Sequence, residues 1–297
     1  MMAGEFARGV VALCAALACA AGGEAVASEK LLRTAGSIWQ DGILVGGGAT
    51  AALGYAPAHF EWMVNRNDIF DSRVFECDYM PHDEVMACVK TNVGHSVAFL
   101  DQRERPTIRG PKDGNRLTLS MSAAVLRIRF WRGSDWTMPA IPRAEQTLDT
   151  LTGELSERIE SPSFSPEAVS LVERTRDVLA IDAGDRRSPN RQVFVDLARP
   201  DDPRYDSLPF EWHAEKGVAC FSQKMPGGET YAVALTAPGD VTTVGRTAHF
   251  CAAGRTALFL AVRTTRDASD PVAAAVAAVR AAARDGFAKV RADNAGW

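Results

Sequence analysis

The chain has 297 residues and a formal net charge of −4, from 33 Lys plus Arg against 37 Asp plus Glu. Hydrophobic residues make up 46% of it and charged residues 24%, which is the composition of a folded globular protein and argues against wholesale disorder. The basic residues are scattered rather than gathered into a stripe, which argues against nucleic acid as a partner.

The first 27 residues have the pattern of a secretory signal peptide. Arg8 precedes the apolar run VVALCAALACAAG, which is shorter than the about 20 residues that a membrane-spanning helix needs. Ala25-Val26-Ala27 supplies a small-x-small cleavage site. We therefore expect cleavage after Ala27 and export to the periplasm or beyond. An earlier cut, a lipid anchor on Cys19 and a buried N-terminal helix are the alternatives, and no later segment is long and apolar enough to span a membrane.

Four cysteines lie beyond this segment: Cys77, Cys88, Cys220 and Cys251. An even number of thiols in an oxidising compartment permits two disulfides, and Cys77–Cys88 is favoured because its members are close in sequence. A zinc site on Cys77, His82 and Cys88 is the weaker alternative, because the paired C-x-x-C spacing of such sites is missing. The sequence predicts no metal and no other cofactor.

Strand-like sequence fills the chain from Ile43 to about Thr265. Alternating or β-branched runs such as AVLRIRFW, QVFVDLA, ETYAVALTA and TALFLAVRT are separated by turn clusters such as GPKDGN, ARPDDP and KMPGGE. Regular short strands with almost no helical period predict a mainly β fold, an antiparallel β-sandwich over residues 28–268. One long excursion, residues 68–92, interrupts the pattern, and loops of that length are usually functional or cover another part of the protein.

The pattern changes to a helical period over residues 269–297. Asp270 is placed to cap a helix with Pro271 in its first turn. An apolar stripe follows, with Gly286 as an interruption, and it consists of Val272, Val276, Val279, Ala283, Phe287 and Val290. Because such a stripe must be buried, we expect a linker helix whose partner surface lies beyond Trp297, in a part of the protein that this chain lacks.

No catalytic motif is present: the sequence has no G-x-S-x-G, H-E-x-x-H or G-x-x-x-x-G-K-[ST]. The five histidines form no spacing pattern; they are His59, His82, His95, His213 and His249. Tryptophans offer flat apolar faces with one N–H each, which suits sugar rings as well as a sandwich core. Those of the sandwich region are Trp39, Trp62, Trp131, Trp136 and Trp212.

The segment WQDGILVGGGATAALGYAPAHFEWMVNRNDIFDSR, residues 39–73, resembles the opening of the N-terminal domain of glycoside hydrolase family 95, the α-L-fucosidases and their relatives. That family reads roughly W-x-x-G-x-x-x-G-N-G-x-x-G-A and then N-x-x-D-x-[WF]-D. The matching residues are Trp39, Gly46, Gly48, Gly54, Asn65, Asp68, Phe70 and Asp71. One departure is Gly47, where the family usually has Asn.

Two further features match the family. QTLDTLTGEL, residues 146–155, is similar to its R-x-L-D-L-x-T-G element, and Asp149 and Gly153 are typical turn residues between two strands. The resemblance also implies the domain order: a β-supersandwich of the galactose mutarotase-like type, a linker helix, and then an (α/α)6 barrel with the catalytic acid and base. No residue of this chain therefore inherits a catalytic role.

The resemblance implies an N-terminal, non-catalytic domain of a secreted hydrolase that cleaves terminal glycosidic bonds of the α-L-fucoside or α-L-galactoside type. Its partners would be an oligosaccharide or glycan, the following barrel and, through the sandwich, a second copy in a homodimer. Side chains with both donors and acceptors suit sugar hydroxyls. The predicted substrate-binding residues are Trp39, Asn65, Asn67 and Asp68, with the element 65–73 and the 68–92 excursion as a covering loop.

Two alternatives remain open from the sequence. The first is a stand-alone carbohydrate-binding module. The second is a mutarotase-like sugar epimerase, in which one of the five histidines would act with a glutamate across the concave face of the sandwich. All three hypotheses share a β-sandwich, so the fold does not separate them.

Overall fold

The structure is a computed structural model that describes residues 30–34, 42–56, 59–71, 119–131, 143–160, 164–200, 208–225 and 228–295. All of them belong to one compact unit of the chain. Several sequence predictions lie outside these ranges: the signal peptide, Trp39, Trp136, Cys77, Cys88, His82, His95 and residues 72–92 of the excursion.

The described residues form sixteen strands and two helices. The strands are β1 (Lys30–Thr34), β2 (Ile43–Gly46), β3 (Thr50–Tyr55), β4 (Phe60–Asp71), β5 (Leu119–Phe130), β6 (Arg143–Asp149), β7 (Glu154–Glu160), β8 (Pro166–Glu173), β9 (Val178–Asp185), β10 (Gln192–Ala198), β11 (Phe210–Glu215), β12 (Val218–Lys224), β13 (Thr230–Thr236), β14 (Thr242–Val244), β15 (Thr247–Ala253) and β16 (Thr256–Thr264). The helices are α1 (Pro271–Asp285) and α2 (Phe287–Ala295).

These strands make two sheets in which the described pairings are antiparallel. A nine-stranded sheet has the order β1-β6-β7-β8-β9-β16-β13-β12-β11, and a seven-stranded sheet has the order β14-β15-β10-β5-β4-β3-β2. The predicted mainly β, antiparallel sandwich is confirmed. The hairpin predicted around residues 146–155 is confirmed too: Gly153 has φ +67°, and Asp149 Oδ1 accepts the N–H groups of Leu151 and Thr152 at 3.0 and 3.2 Å.

The main hydrophobic core lies between the two sheets. Phe60 and Trp62 from the seven-stranded sheet belong to the same buried cluster as Phe221 and Tyr231 from the nine-stranded sheet. Alternation along each strand produces this core, because successive side chains point to opposite faces. Full burial of each such side chain contributes roughly 1.5–3 kcal/mol to folding.

A second core lies on the other face of the nine-stranded sheet, where the helices pack. Val276 and Val279 of α1 and Val290 of α2 are buried in one cluster with strand residues such as Val178 and Phe259. The partner surface of the apolar stripe is therefore in this same chain, which corrects the expectation that it lies beyond Trp297.

The predicted start of the helix is confirmed. The interruption expected at Gly286 divides the helical segment into two helices. Asp270 caps α1 by accepting the N–H of Ala273 at 3.0 Å, with Pro271 in the first turn. Gly286, with φ +78°, then separates α1 from α2, because a left-handed residue ends a helix. Neither of the described helices combines the length and apolarity needed to cross a bilayer.

Candidate functional site

A line of polar side chains crosses the seven-stranded sheet on the face opposite the core. The strand register places Glu61 of β4 opposite Arg127 of β5, and Arg127 opposite Asp196 of β10. It also places Tyr55 of β3 opposite Glu61, and His249 of β15 opposite Asp196. Directly opposed residues share a face of the sheet. We call these five side chains the charged row.

The strand pattern forces the charged row onto this face. In β5, Arg127 lies between Leu126 and Ile128, which are fully buried. In β10, Asp196 lies between Val195 and Leu197, which are also fully buried. Because side chains alternate along a strand, a residue between two core residues points away from the core. Neighbouring strands are about 4.8 Å apart, so the row from β4 to β15 extends over roughly 14 Å.

Glu61 is the anion at one end of the charged row. Its Oε2 accepts from Arg127 Nε at 2.5 Å and lies 3.1 Å from His59 Nε2, and its Oε1 accepts from the Tyr55 hydroxyl. Burial alone would raise the pKa of this carboxyl, but these hydrogen bonds and the Arg127 charge outweigh it and lower the pKa to about 2. Burial and the neighbouring carboxylate raise the pKa of Tyr55. Glu61 is therefore ionised, with both oxygens occupied.

Asp196 is the second anion of the charged row. Its Oδ2 accepts from Arg129 Nη2 at 2.5 Å, and its Oδ1 lies 2.7 Å from His249 Nδ1. A carboxylate on Nδ1 fixes the orientation of an imidazole and leaves Nε2 for another partner. The Asp196 pair thus holds a guanidinium and an imidazole in fixed positions on the outer face.

Aromatic rings lie beside the charged row. Phe194, two residues before Asp196 in β10, is half-buried, and its ring centroid is 6.0 Å from that of Trp131. The Trp131 side chain follows the end of β5 and is 48% exposed, while its backbone N–H donates to Gln192 O at 2.9 Å. We call the charged row together with Arg129, Phe194 and Trp131 the binding face.

The other described tryptophans are packing residues. Trp62 is fully buried between the sheets and donates from Nε1 to Ser170 Oγ at 3.2 Å. Trp212 packs against Phe221 with ring centroids 5.4 Å apart and donates to Gly245 O at 3.0 Å. Only Trp131, among the tryptophans in the described ranges, presents an exposed ring.

A second polar network, centred on Arg66, includes one of the residues that match family 95, Asp68. The Arg66 side chain is 5% exposed and donates from Nε to Asp68 Oδ1 and from Nη2 to Asp267 Oδ1, both at 2.7 Å. Its Nη1 donates to Val262 O at 2.6 Å. Burial alone would lower the pKa of the Arg66 guanidinium. Its hydrogen bonds and the charges of the two aspartates outweigh burial and raise the pKa above its ordinary value. The network joins β4 of one sheet to β16 of the other and is structural.

Of the predicted substrate-binding residues, Asn65, Asn67 and Asp68 lie within the described ranges, and Asp68 belongs to the Arg66 network. The Asp68 carboxylate is engaged by Arg66 and by Thr264 Oγ1 at 3.0 Å, and Asn67 is exposed. Asn65 is half-buried on the face of the charged row, four residues along β4 from Glu61. With Trp39 outside the described residues, sugar binding by these four stays a prediction.

The predicted covering loop needs a correction over its first part. Residues 65–71 continue β4, and they pair with β5 through register shifts on both sides of Asn65. A β-bulge lets a strand absorb irregular residues without leaving the sheet. Asn65, Asn67 and Asp68, although of residue types that favour turns, therefore lie inside strand β4.

The Gly47 departure has a steric reason in this chain. A Cβ at Gly47 would lie 2.6 Å from Val172 O, and the adjacent Gly48 has φ +109°. The side chain of an asparagine at position 47 would therefore require the turn between β2 and β3 to move. The turn is held instead by Asp177, which accepts the N–H and the hydroxyl of Thr50, both at 2.8 Å.

Of the three histidines in the described ranges, two belong to the region of the binding face, each against a carboxylate: His59 on Glu61 and His249 on Asp196. His213 is on the nine-stranded sheet, where its Nε2 lies 2.8 Å from Ser222 Oγ. Clusters of three or more His, Cys, Asp or Glu arranged for a metal are absent from the described part of the chain.

The two described cysteines are not joined to each other. Cys220 is a buried free thiol in the nine-stranded sheet, and burial raises its pKa to about 12. Cys251 is an exposed free thiol in the seven-stranded sheet. A Cys220–Cys251 disulfide is therefore not part of this structure, while the predicted Cys77–Cys88 pair lies outside the described residues.

A glutamate side chain is buried in the core. Glu157 is 2% exposed, its Oε1 accepts from Gln146 Nε2 at 2.7 Å, and the same amide donates to Gly54 O at 3.0 Å. Burial raises the pKa of Glu157 to about 8. Within the described residues, Glu157 Oε2 and Gln146 Oε1 have no hydrogen-bond partner. With a pKa of about 8, Glu157 is therefore protonated and neutral at pH 7.

Comparisons with known proteins give little beyond this geometry. No protein-family model matches the chain, and no curated protein matches it. It is similar to a solved structure named "Putative kojibiose phosphorylase from human microbiome", with 9% identity and a TM-score of 0.46 over 85% of this chain. The chain spans 31% of the length of that structure. The resemblance to family 95 thus depends on the sequence motifs.

Sequence reasoning missed the binding face. The charged row joins residues from distant parts of the chain, and their register is fixed by tertiary structure. One local signal was present: Arg127 and Arg129 in LRIRF, and Asp196 in VFVDL, stand between core-type residues. Charged residues at the outward positions of otherwise apolar strands indicate a polar outer face.

Proposed function

We propose that this chain is a carbohydrate-binding β-sandwich domain of an exported carbohydrate-active protein, and that sugar is bound on the binding face. The observation that carries the proposal is an exposed indole, Trp131, beside polar side chains that hydrogen bonds hold in place. An indole stacks on the C–H face of a sugar ring, and fixed donors orient the ring. Fixed side chains also lower the entropy cost of binding.

The family resemblance supports the wider part of the proposal. We infer an N-terminal, non-catalytic domain exported by a signal peptide that is cleaved after Ala27. The whole protein would hydrolyse α-L-fucosides or α-L-galactosides in a following (α/α)6 barrel. A stand-alone carbohydrate-binding module would use the same face. Homodimer formation stays a prediction that sedimentation of the purified chain tests.

Calorimetric titration tests the proposal. We expect heat when the purified chain is titrated with a panel of fucosylated, galactosylated and acidic oligosaccharides at millimolar concentration. Trp131→Ala removes the stacking ring, so the Kd should rise by about tenfold, which corresponds to about 1.4 kcal/mol.

The matched control is Leu151→Ala, because Leu151 is an apolar side chain of similar exposure, 58%, in the β6–β7 turn of the other sheet. This variant should keep the Kd within about twofold of the parent. Absence of heat with every oligosaccharide, or equal losses in both variants, would contradict the proposal.

A second candidate function, sugar epimerisation, is favoured by one observation: two histidine–carboxylate pairs lie on one side of the same sheet. Against it, a carboxyl with a pKa of about 2, as Glu61 has, is a weak proton acceptor at neutral pH. Anomerisation of galactose and glucose is the test. An epimerase would exceed the buffer rate and lose that excess in His249→Ala, whereas a binding domain would match the buffer.

A further inference from the structure

The two carboxylates of the binding face are largely buried and already hydrogen-bonded. The Glu61 and Asp196 side chains are 8% and 9% exposed, and each of their four carboxylate oxygens already receives a hydrogen bond. A sugar hydroxyl both donates and accepts hydrogen bonds. These two carboxylates are therefore largely buried and already engaged, so they offer little acceptor capacity to a ligand hydroxyl.

The donors of the same face are open. The exposed fraction is 43% for the Arg127 side chain and 52% for Arg129. Arg127 uses only its Nε and Arg129 only its Nη2 on the carboxylates, which leaves the other guanidinium nitrogens without a partner among the described residues. The exposed N–H groups of the two arginines are thus donors on cationic groups, above the buried carboxylates that hold them.

The two arginines are spaced for a ligand with several acidic groups. Arg127 and Arg129 are two residues apart on β5, so their Cα atoms are about 7 Å apart on one face. A guanidinium presents N–H groups in a planar fork that matches the oxygens of a carboxylate or a sulfate. Trp131 continues the same side of the sheet two residues further on and supplies the apolar surface that an inorganic anion does not need.

We propose that the ligand of the binding face is an anionic glycan, whose carboxylate or sulfate groups bind Arg127 and Arg129 while a sugar ring stacks on Trp131. This inference rests on the proposed function and adds the ligand class. It is compatible with a neutral sugar at the scissile bond if the sandwich and the proposed barrel bind different units of one glycan.

Titration of the full chain with four probes tests the ligand class. The probes are a uronate oligosaccharide, a sulfated oligosaccharide, a neutral oligosaccharide of equal length, and inorganic sulfate alone. We expect at least one acidic oligosaccharide to bind at least about tenfold more tightly than the neutral one, with an affinity that falls as salt rises. The acidic probe that binds tells whether the carboxylate or the sulfate is recognised.

Variants of one arginine test the contact itself. Arg129→Gln should weaken binding of the acidic probe at least about tenfold and leave the neutral probe unchanged, while Arg129→Lys should restore part of the loss. The matched control, Arg186→Gln, removes an arginine of similar exposure, 49%, from the bend that follows β9 and should not change binding. Thermal unfolding of each variant shows that the fold is kept.

Each remaining outcome overturns a different statement. Equal binding of the acidic and neutral probes would contradict the proposal of an anionic glycan but would be consistent with the proposed carbohydrate-binding function. Inorganic sulfate that binds as tightly as the acidic glycan shows that no sugar is recognised. Absence of binding by all oligosaccharides overturns the proposed function and this inference together.

Discussion

The two sheets of the sandwich share one core, but their outer faces differ. The outer face of the nine-stranded sheet carries small and apolar side chains such as Val178, Ala180 and Phe259, and the helices cover it. The outer face of the seven-stranded sheet carries the charged row, with arginines about half exposed. An apolar face has to be buried, whereas a face of paired ions is stable in water and free for a ligand.

This difference predicts where the protein is sensitive. Substitutions under the helices should affect folding and leave binding intact in whatever remains folded. Substitutions of exposed groups on the binding face should affect binding and hardly affect folding, because exposed ion pairs contribute about 1 kcal/mol or less.

The largest effect is expected from Val279→Asp. Val279 is fully buried between α1 and the nine-stranded sheet, so an aspartate there would be an unpaired charge in an apolar site. Urea unfolding should show a loss of about 4 kcal/mol or more in the free energy of unfolding. Ala277→Asp, at an exposed position of the same helix, should cost less than about 1 kcal/mol. Similar losses in the two variants would show that the helix is not packed as described.

The next effect concerns Glu157 in the shared core. Its pKa is about 8 in the folded protein and 4.5 as the ordinary value, so the folded state keeps a proton that the unfolded state releases. The contribution of Glu157 to stability should be greatest below pH 4.5 and should fall as the pH rises towards 8. Glu157→Gln should flatten this slope. An unchanged slope in denaturant titrations would mean that Glu157 is not a buried neutral acid.

The smallest of these effects has the opposite sign and comes from Glu61 in the charged row. Its pKa is lowered from 4.5 to about 2, so its contribution is present above pH 4.5 and is lost as the pH falls towards 2. Glu61→Gln should make unfolding less dependent on pH in that window. A variant that keeps the parent's acid sensitivity would show that Arg127 and Tyr55 do not hold an ionised Glu61.

Local patterns were enough to predict the fold class and several elements. QVFVDLA matches β10, TALFLAVRT matches β16, and Asp270 caps the helix as expected. In each case, alternation or a capping residue acts over a few neighbours in sequence, which is what a single sequence records.

Long-range features could not be predicted in this way. Nothing local pairs Arg127 with Asp196, or Arg66 with Asp267, because these contacts depend on the order of strands in the sheets. The partner surface of the helix stripe was predicted wrongly for the same reason, because the packing of α1 on β9 and β16 depends on tertiary structure. A run that is apolar on both faces indicates a strand covered on both sides.

The central claim is that ligand binds the outer face of the seven-stranded sheet and not the helix-covered side. Backbone amide NMR of the full chain, titrated with an acidic oligosaccharide, tests it most directly. The account predicts shift changes confined to residues 127–131, 192–196 and 249–253. Changes centred on α1, β13 or β16, or no changes with any glycan at millimolar concentration, would contradict it.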